Sequence, residues 1–129
     1  MSITLNLEVA KGVSIEDVKG ALSGVECSDY SETKSGFSVK LPNTNAMMSV
    51  NTDIEDSAIL AEGLESAEWS VGLRIYFDVD ATLQAPFDDV KKIVLNLSEQ
   101  VPFEFVLSFQ YESIYAQRDF NGLELSEDF

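Results

Sequence analysis

Histidine is missing from this 129-residue chain, cysteine occurs once, and basic residues number 8 against 23 acids. Without histidine there is no Ser-His or Cys-His nucleophilic pair, no usual zinc ligand set, and no commonest general base. A single cysteine, Cys27, excludes an internal disulfide and with it a secreted disulfide scaffold. No stretch approaches the roughly 18 apolar residues of a membrane span. Met1 to Gly12 alternate polar and apolar with no basic lead, which argues against a signal peptide, so the cytoplasm is the expected compartment. The glycines at 12, 20, 24, 36, 63, 72 and 122 are scattered, which leaves no phosphate-cradling loop.

What is present fits one folded domain over residues 1–129: 45% hydrophobic residues, with eight Phe, four Tyr and one Trp. The net charge of −15 repels nucleic acid and anionic membrane and attracts basic surfaces. Such charge costs stability through self-repulsion, so it has a use, whether solubility or recognition. It is concentrated between Lys40 and Arg74, where no basic residue occurs and Asp53, Glu55, Asp56, Glu62, Glu65 and Glu68 are found.

Along the chain, Ile3, Leu5, Leu7 and Val9 alternate with Thr4, Asn6, Glu8 and Ala10, which predicts a strand with one buried face. Ser14 as N-cap, Glu16 and Asp17 in the first turn, and Ile15, Val18 and Leu22 at helical spacing predict a helix over 15–23, with Gly24 as a C-cap. Strands follow over 26–33, over 37–41 after a turn at residues 34–36, and over 46–50. Thr52 and Glu55 match a capping box, and Ile59, Leu60, Leu64 and Ala67 then predict a helix over 54–66 bearing Glu55, Glu62 and Glu65 on its outer side. The cleanest alternation runs Val71, Leu73, Ile75, Phe77, Val79. Pro86, Asp88 and Asp89 open another helix, ended by Pro102. Phe103, Phe105, Leu107, Phe109 and Tyr111 predict a strand with these aromatics on one core-facing side, a turn at residues 112–113, a partner strand over 114–118, and a short strand at 123–125 after Asn121 and Gly122.

Residues 15–19 (IEDVK) and 87–91 (FDDVK) match at an offset of 72 residues, and Ile3, Leu5 and Leu7 fall on Ile75, Phe77 and Val79 at the same offset. Either a β-α-β-β unit is present twice, or two βα units under the same capping rules have similar residues. Both readings give an α+β fold with a mostly antiparallel sheet and helices on one face, its halves 1–51 and 70–125 joined by the acidic segment 52–69.

The chemistry expected from these residues is that of binding. Cys27 lies beside Glu26 and Asp29, which raise a thiol's pKa, so it reads as a core residue rather than a nucleophile. Asp78 and Asp80 end the best strand on its outer face, where a divalent cation would find carboxylates, but no EF-hand spacing accompanies them. Acids at a strand end are ordinarily solvated, and no metal or cofactor is expected. Trp69, after the predicted acidic helix, and Tyr76, between Arg74 and Asp78 in outer-face alternation, have the charged neighbours of interface anchors, although partial burial accounts for them equally.

In size, acidity, α+β build and lack of catalytic groups, the chain resembles the immunity proteins that bacteria pair with secreted antibacterial toxins. That resemblance implies a non-catalytic inhibitor with one cognate toxin partner, neutralised by blocking of its active site. The alternatives are a nucleic-acid mimic, which would need carboxylates spaced like phosphates, and a structural or adaptor module. The expected partner-binding residues are Glu55, Glu62, Glu65, Glu68, Trp69, Arg74, Tyr76, Asp78 and Asp80. The partner is a protein with a basic surface, with no direct binding of nucleic acid or membrane.

Overall fold

The computed structural model describes residues 2–42, 46–64, 67–119, 121–127 and 129. Strand β1 (Ser2–Ala10) leads into helix α1 (Ile15–Ala21), then β2 (Ser28–Thr33), β3 (Gly36–Lys40) and β4 (Met47–Asn51). After the acidic segment come β5 (Val71–Asp80), helix α2 (Ala85–Gln100), β6 (Phe105–Phe109), β7 (Ser113–Asp119) and β8 (Gly122–Leu125). All eight strands join one sheet in the order β2-β3-β4-β5-β1-β6-β7-β8. Every neighbouring pair is antiparallel.

The order of elements, β-α-β-β-β, therefore occurs twice. Their places in the sheet differ. The crossover through α2 steps over β1 alone, whereas the one through α1 steps over β5, β4 and β3 to reach the edge.

One sheet face follows the alternation of the sequence. Leu5, Leu7 and Val9 of β1 and Leu73, Ile75 and Phe77 of β5 are fully buried, in one cluster with Val18 and Ala21 of α1 and Val90, Ile93, Val94 and Leu97 of α2. Each of the Val, Leu, Ile and Phe side chains contributes about 1.5–3 kcal/mol by leaving water. Ser14 caps α1 as its spacing predicts: its hydroxyl accepts from Asp17 N, and the Asp17 carboxylate accepts from Ser14 N. Seven residues are too few for a stable isolated helix. The other end of α1 is closed by α2, whose Lys92, Asn96 and Gln100 share one helical face. Asn96 Nδ2 donates to the carbonyls of Ala21 (2.9 Å) and Ser23 (3.0 Å), Gln100 Nε2 to Gly20 (2.8 Å), and Lys92 Nζ to Gly24 (2.7 Å). These bonds satisfy carbonyls that a helix end leaves without intrahelical partners.

Three expectations need correction. No helix occurs among the described residues of 52–69. Thr52 does not cap; its N–H and hydroxyl both donate to Ser35 O. Asn51 Oδ1 accepts from Asp53 N and Asp56 Oδ1 from Ala58 N, side-chain turns that divert the backbone from helical bonding. The turn expected at 112–113 is made by Gln110 and Tyr111, both left-handed (φ 49° and 65°). That reversal removes Tyr111 from the face of Phe105 and Phe109 and sets it near Arg74 and Glu8, on the opposite face. Gly36, expected in the turn, is the first residue of β3, paired with Asn51, at a place where a Cβ would overlap the Val50 carbonyl oxygen.

Candidate partner-binding surface

The second sheet face is polar, and register lines its residues up across the strands. One row runs Asn51, Arg74, Glu8, Val106, Gln117, and the next Ser49, Tyr76, Asn6, Ser108. Glu8 is 0% exposed and Arg74 6%, so the single-face burial expected for β1 is wrong at this end of the strand. Arg74 Nη2 and Nε lie 3.3 and 3.4 Å from Glu8 Oε2. The carboxylate also accepts from Leu60 N at Oε2 (2.8 Å) and Ala61 N at Oε1 (2.9 Å). Arg74 Nη2 donates to Ala58 O (2.8 Å).

Thus the acidic segment is tied by its backbone to a buried ion pair. Two ladder-like bonds reinforce the tie: Glu62 N to Tyr111 O (2.7 Å) and Val71 N to Ser57 O (2.8 Å). Desolvating such a pair costs several kcal/mol per ion, which the extra hydrogen bonds offset. Tyr111 closes the cluster. Its hydroxyl is pushed up to about 12 by burial and then by its neighbour Tyr76, which keeps the phenol neutral. Ser108 Oγ is buried and has no hydrogen-bond partner among the described residues.

With its backbone held inward, the segment turns Glu55, Asp56, Glu62 and Glu68 to solvent. Glu55 borders a shallow depression of ≈ 480 Å³ that also includes Lys11 and Gly72. Glu68 and Trp69 lie instead in a groove of ≈ 360 Å³, together with Glu104, Gln117 and Asp119. Leu64 and Ala67 add apolar residues, and among the described residues no Lys or Arg lines it.

The structure therefore divides the expected binding residues. Glu68 and Trp69 come together, while Glu55 and Glu62 are exposed at separate places, and Glu65 falls outside the described residues. Arg74 belongs to the buried pair and is not a surface group. Tyr76 is half-buried beside Tyr111. Asp78 is exposed and accepts from Thr4 Oγ1 (2.9 Å). Asp80 accepts from Thr82 Oγ1 (2.7 Å) and Thr82 N (2.9 Å), bonds that hold its carboxyl below the ordinary range.

Glu8, Tyr111, Glu104 and Asp119 escape the sequence reading. Glu104 and Asp119 lie at one end of the paired strands β6 and β7; that hairpin is expected from the sequence, but its place beside Glu68 and Trp69 has no local signal. Among the described residues, no group of three or more Cys, Asp or Glu side chains is placed to hold a metal ion. Burial first and Asp89 second push the Cys27 thiol up, so the expected direction comes from different neighbours than Glu26 and Asp29. No helix among the described residues is long and apolar enough to cross a membrane. Compared with known proteins, the chain significantly matches no family model, no curated protein and no solved structure.

Proposed function

We propose that the chain is a non-catalytic inhibitor that binds and neutralises a cognate bacterial toxin domain, covering a basic active site with its acidic surface, as the immunity proteins it resembles do. One observation carries the reading: a buried ion pair holds down an irregular, carboxylate-bearing segment instead of core. A buried ion pair contributes little net stability compared with apolar residues of similar size, so its retention points to a gain in position. Two consecutive non-glycine residues in the left-handed region, Gln110 and Tyr111, add strain at the same place, and one of them binds the segment through its carbonyl. A rigid acidic surface with a net charge of −15 suits fast, salt-sensitive capture of a cationic partner. In this reading both helices cover the face of Leu5 and Ile75, the opposite face meets the partner, and the complex forms in the cytoplasm without cofactor or nucleic acid.

The test is to identify the protein encoded by the adjacent gene and mix it with the chain; a neighbour with no toxic activity counts against the proposal. A one-to-one complex, an association rate that falls as salt rises, and loss of toxicity on co-expression are expected. An absent complex or undiminished toxicity contradicts the proposal. Reversal of Glu55, Glu62 and Glu65 to Lys is expected to weaken the complex by tenfold or more, about 1.4 kcal/mol or more, with the circular dichroism unchanged. Unchanged affinity in that variant would remove Glu55, Glu62 and Glu65 from the interface.

A further inference from the structure

We infer that the groove at Trp69 receives an arginine side chain of the partner. This rests on the proposed capture of a basic protein and names the group recognised. The groove is lined by Trp69 together with Glu68, Glu104 and Asp119, and among the described residues no Lys or Arg lines it to neutralise them. Arg118, next in sequence to Asp119, does not fill that role. Its Nε donates to Ser98 Oγ (3.2 Å) and its Nη1 to Phe103 O (3.2 Å).

The occupant is cationic by charge complementarity, and the arrangement selects among cations. A bare metal ion is a poor match, because these carboxylates do not converge as a ligand group. An extended organic cation fits better: its planar head stacks on Trp69 while its N–H groups fork onto separated carboxylates. Guanidinium satisfies both demands, and ammonium, a compact and strongly hydrated point charge, satisfies only the second. The acceptors are well seated. Glu104 O accepts from Ala10 N (2.9 Å), which fixes the backbone at that wall. Asp119 Oδ1 accepts from Asn121 N (2.7 Å), which orients the carboxylate and leaves it further lone pairs. Leu64 and Ala67 supply apolar surface for the methylene stem. Arg against Trp in a partly desolvated recess is the composition of an interface hot spot.

Trp69 is the only tryptophan in the chain, so its fluorescence reports on the groove. The probe is a blocked glycine-flanked peptide with one arginine, titrated at low ionic strength beside peptides with lysine or citrulline in its place. A saturable change is expected with arginine, a weaker one with lysine and none with citrulline. The double variant Glu104→Gln and Asp119→Asn should lower the arginine affinity by about tenfold or more, as loss of charged hydrogen-bond partners does. No saturable response, an equal response to citrulline or lysine, or full affinity in the double variant overturns the assignment. If the peptide is ignored while the chain still forms a salt-sensitive complex with the product of the adjacent gene, the groove assignment alone fails. If the peptide binds and that complex is absent, the proposed inhibition alone fails.

Discussion

Strand β1 buries residues on both of its faces, by different chemistry. Leu5, Leu7 and Val9 pack into the cluster that includes both helices. Asn6 and Glu8, facing the other way, are also buried, and Glu8 holds an irregular segment through hydrogen bonds and one ion pair. The first face gains from removing apolar surface from water and tolerates approximate fit. The second depends on every partner being present, because a buried charge that loses its counter-charge has no inexpensive alternative. One face holds the fold and the other holds an attached strip in place.

The largest effect that separates the faces is expected from Glu8→Ala. It leaves Arg74 buried without its carboxylate and should cost about 3–5 kcal/mol in denaturant unfolding. Leu7→Ala on the opposite face should cost about 2–5 kcal/mol through its cavity. The two are distinguished by where the structure loosens. Leu7→Ala lowers protection across the whole sheet, whereas Glu8→Ala acts first on residues 57–62. Replacing the pair together, Glu8→Leu with Arg74→Met, should recover most of the stability, since such swaps are commonly neutral or stabilising by about 1–4 kcal/mol. The amides of Leu60 and Ala61 should nevertheless exchange faster than in the native chain. If the double variant keeps them protected, the ion pair is not what orders the segment.

Ser108→Ala removes an orphan hydroxyl and is expected to raise stability by about 1 kcal/mol in the same unfolding measurement. A loss would reveal a partner for that hydroxyl. The smallest effect concerns pH. Tyr111 titrates at about 12 in the fold against an ordinary 10.0. Because the folded value is raised, its contribution is complete below pH 10 and declines as pH climbs through about 12. Stability followed over that window should fall less steeply in Tyr111→Phe.

The same contrast explains what could be read in advance. Alternation revealed β1, β5 and the apolar face, and the Ser14 cap revealed α1, because those signals are local. The acidic segment carried equally local helix signals in Thr52, Glu55 and the spacing of Ile59 and Leu60. They lost to non-local acceptors: Ser35 O took Thr52, and the Glu8 carboxylate took the amides of residues 60 and 61. Once β1 and β5 are paired antiparallel, Glu8 falls opposite Arg74, so the ion pair is legible only after the sheet is known. Glu68 and Trp69 stood out by composition. Their companions Glu104 and Asp119 come from beyond α2, and no local signal places the β6-β7 hairpin beside them.

The most direct test is amide hydrogen exchange at Leu60 and Ala61 in the native chain and in Glu8→Gln, which keeps the side-chain shape but turns one acceptor oxygen into a donor. Strong protection of both amides is expected in the native chain. Its selective loss is expected in the variant, while Leu7 and Ile75 stay protected. Exchange at the rate of an unstructured chain in the native protein, or protection that survives Glu8→Gln, would contradict the hold of Glu8 on the segment.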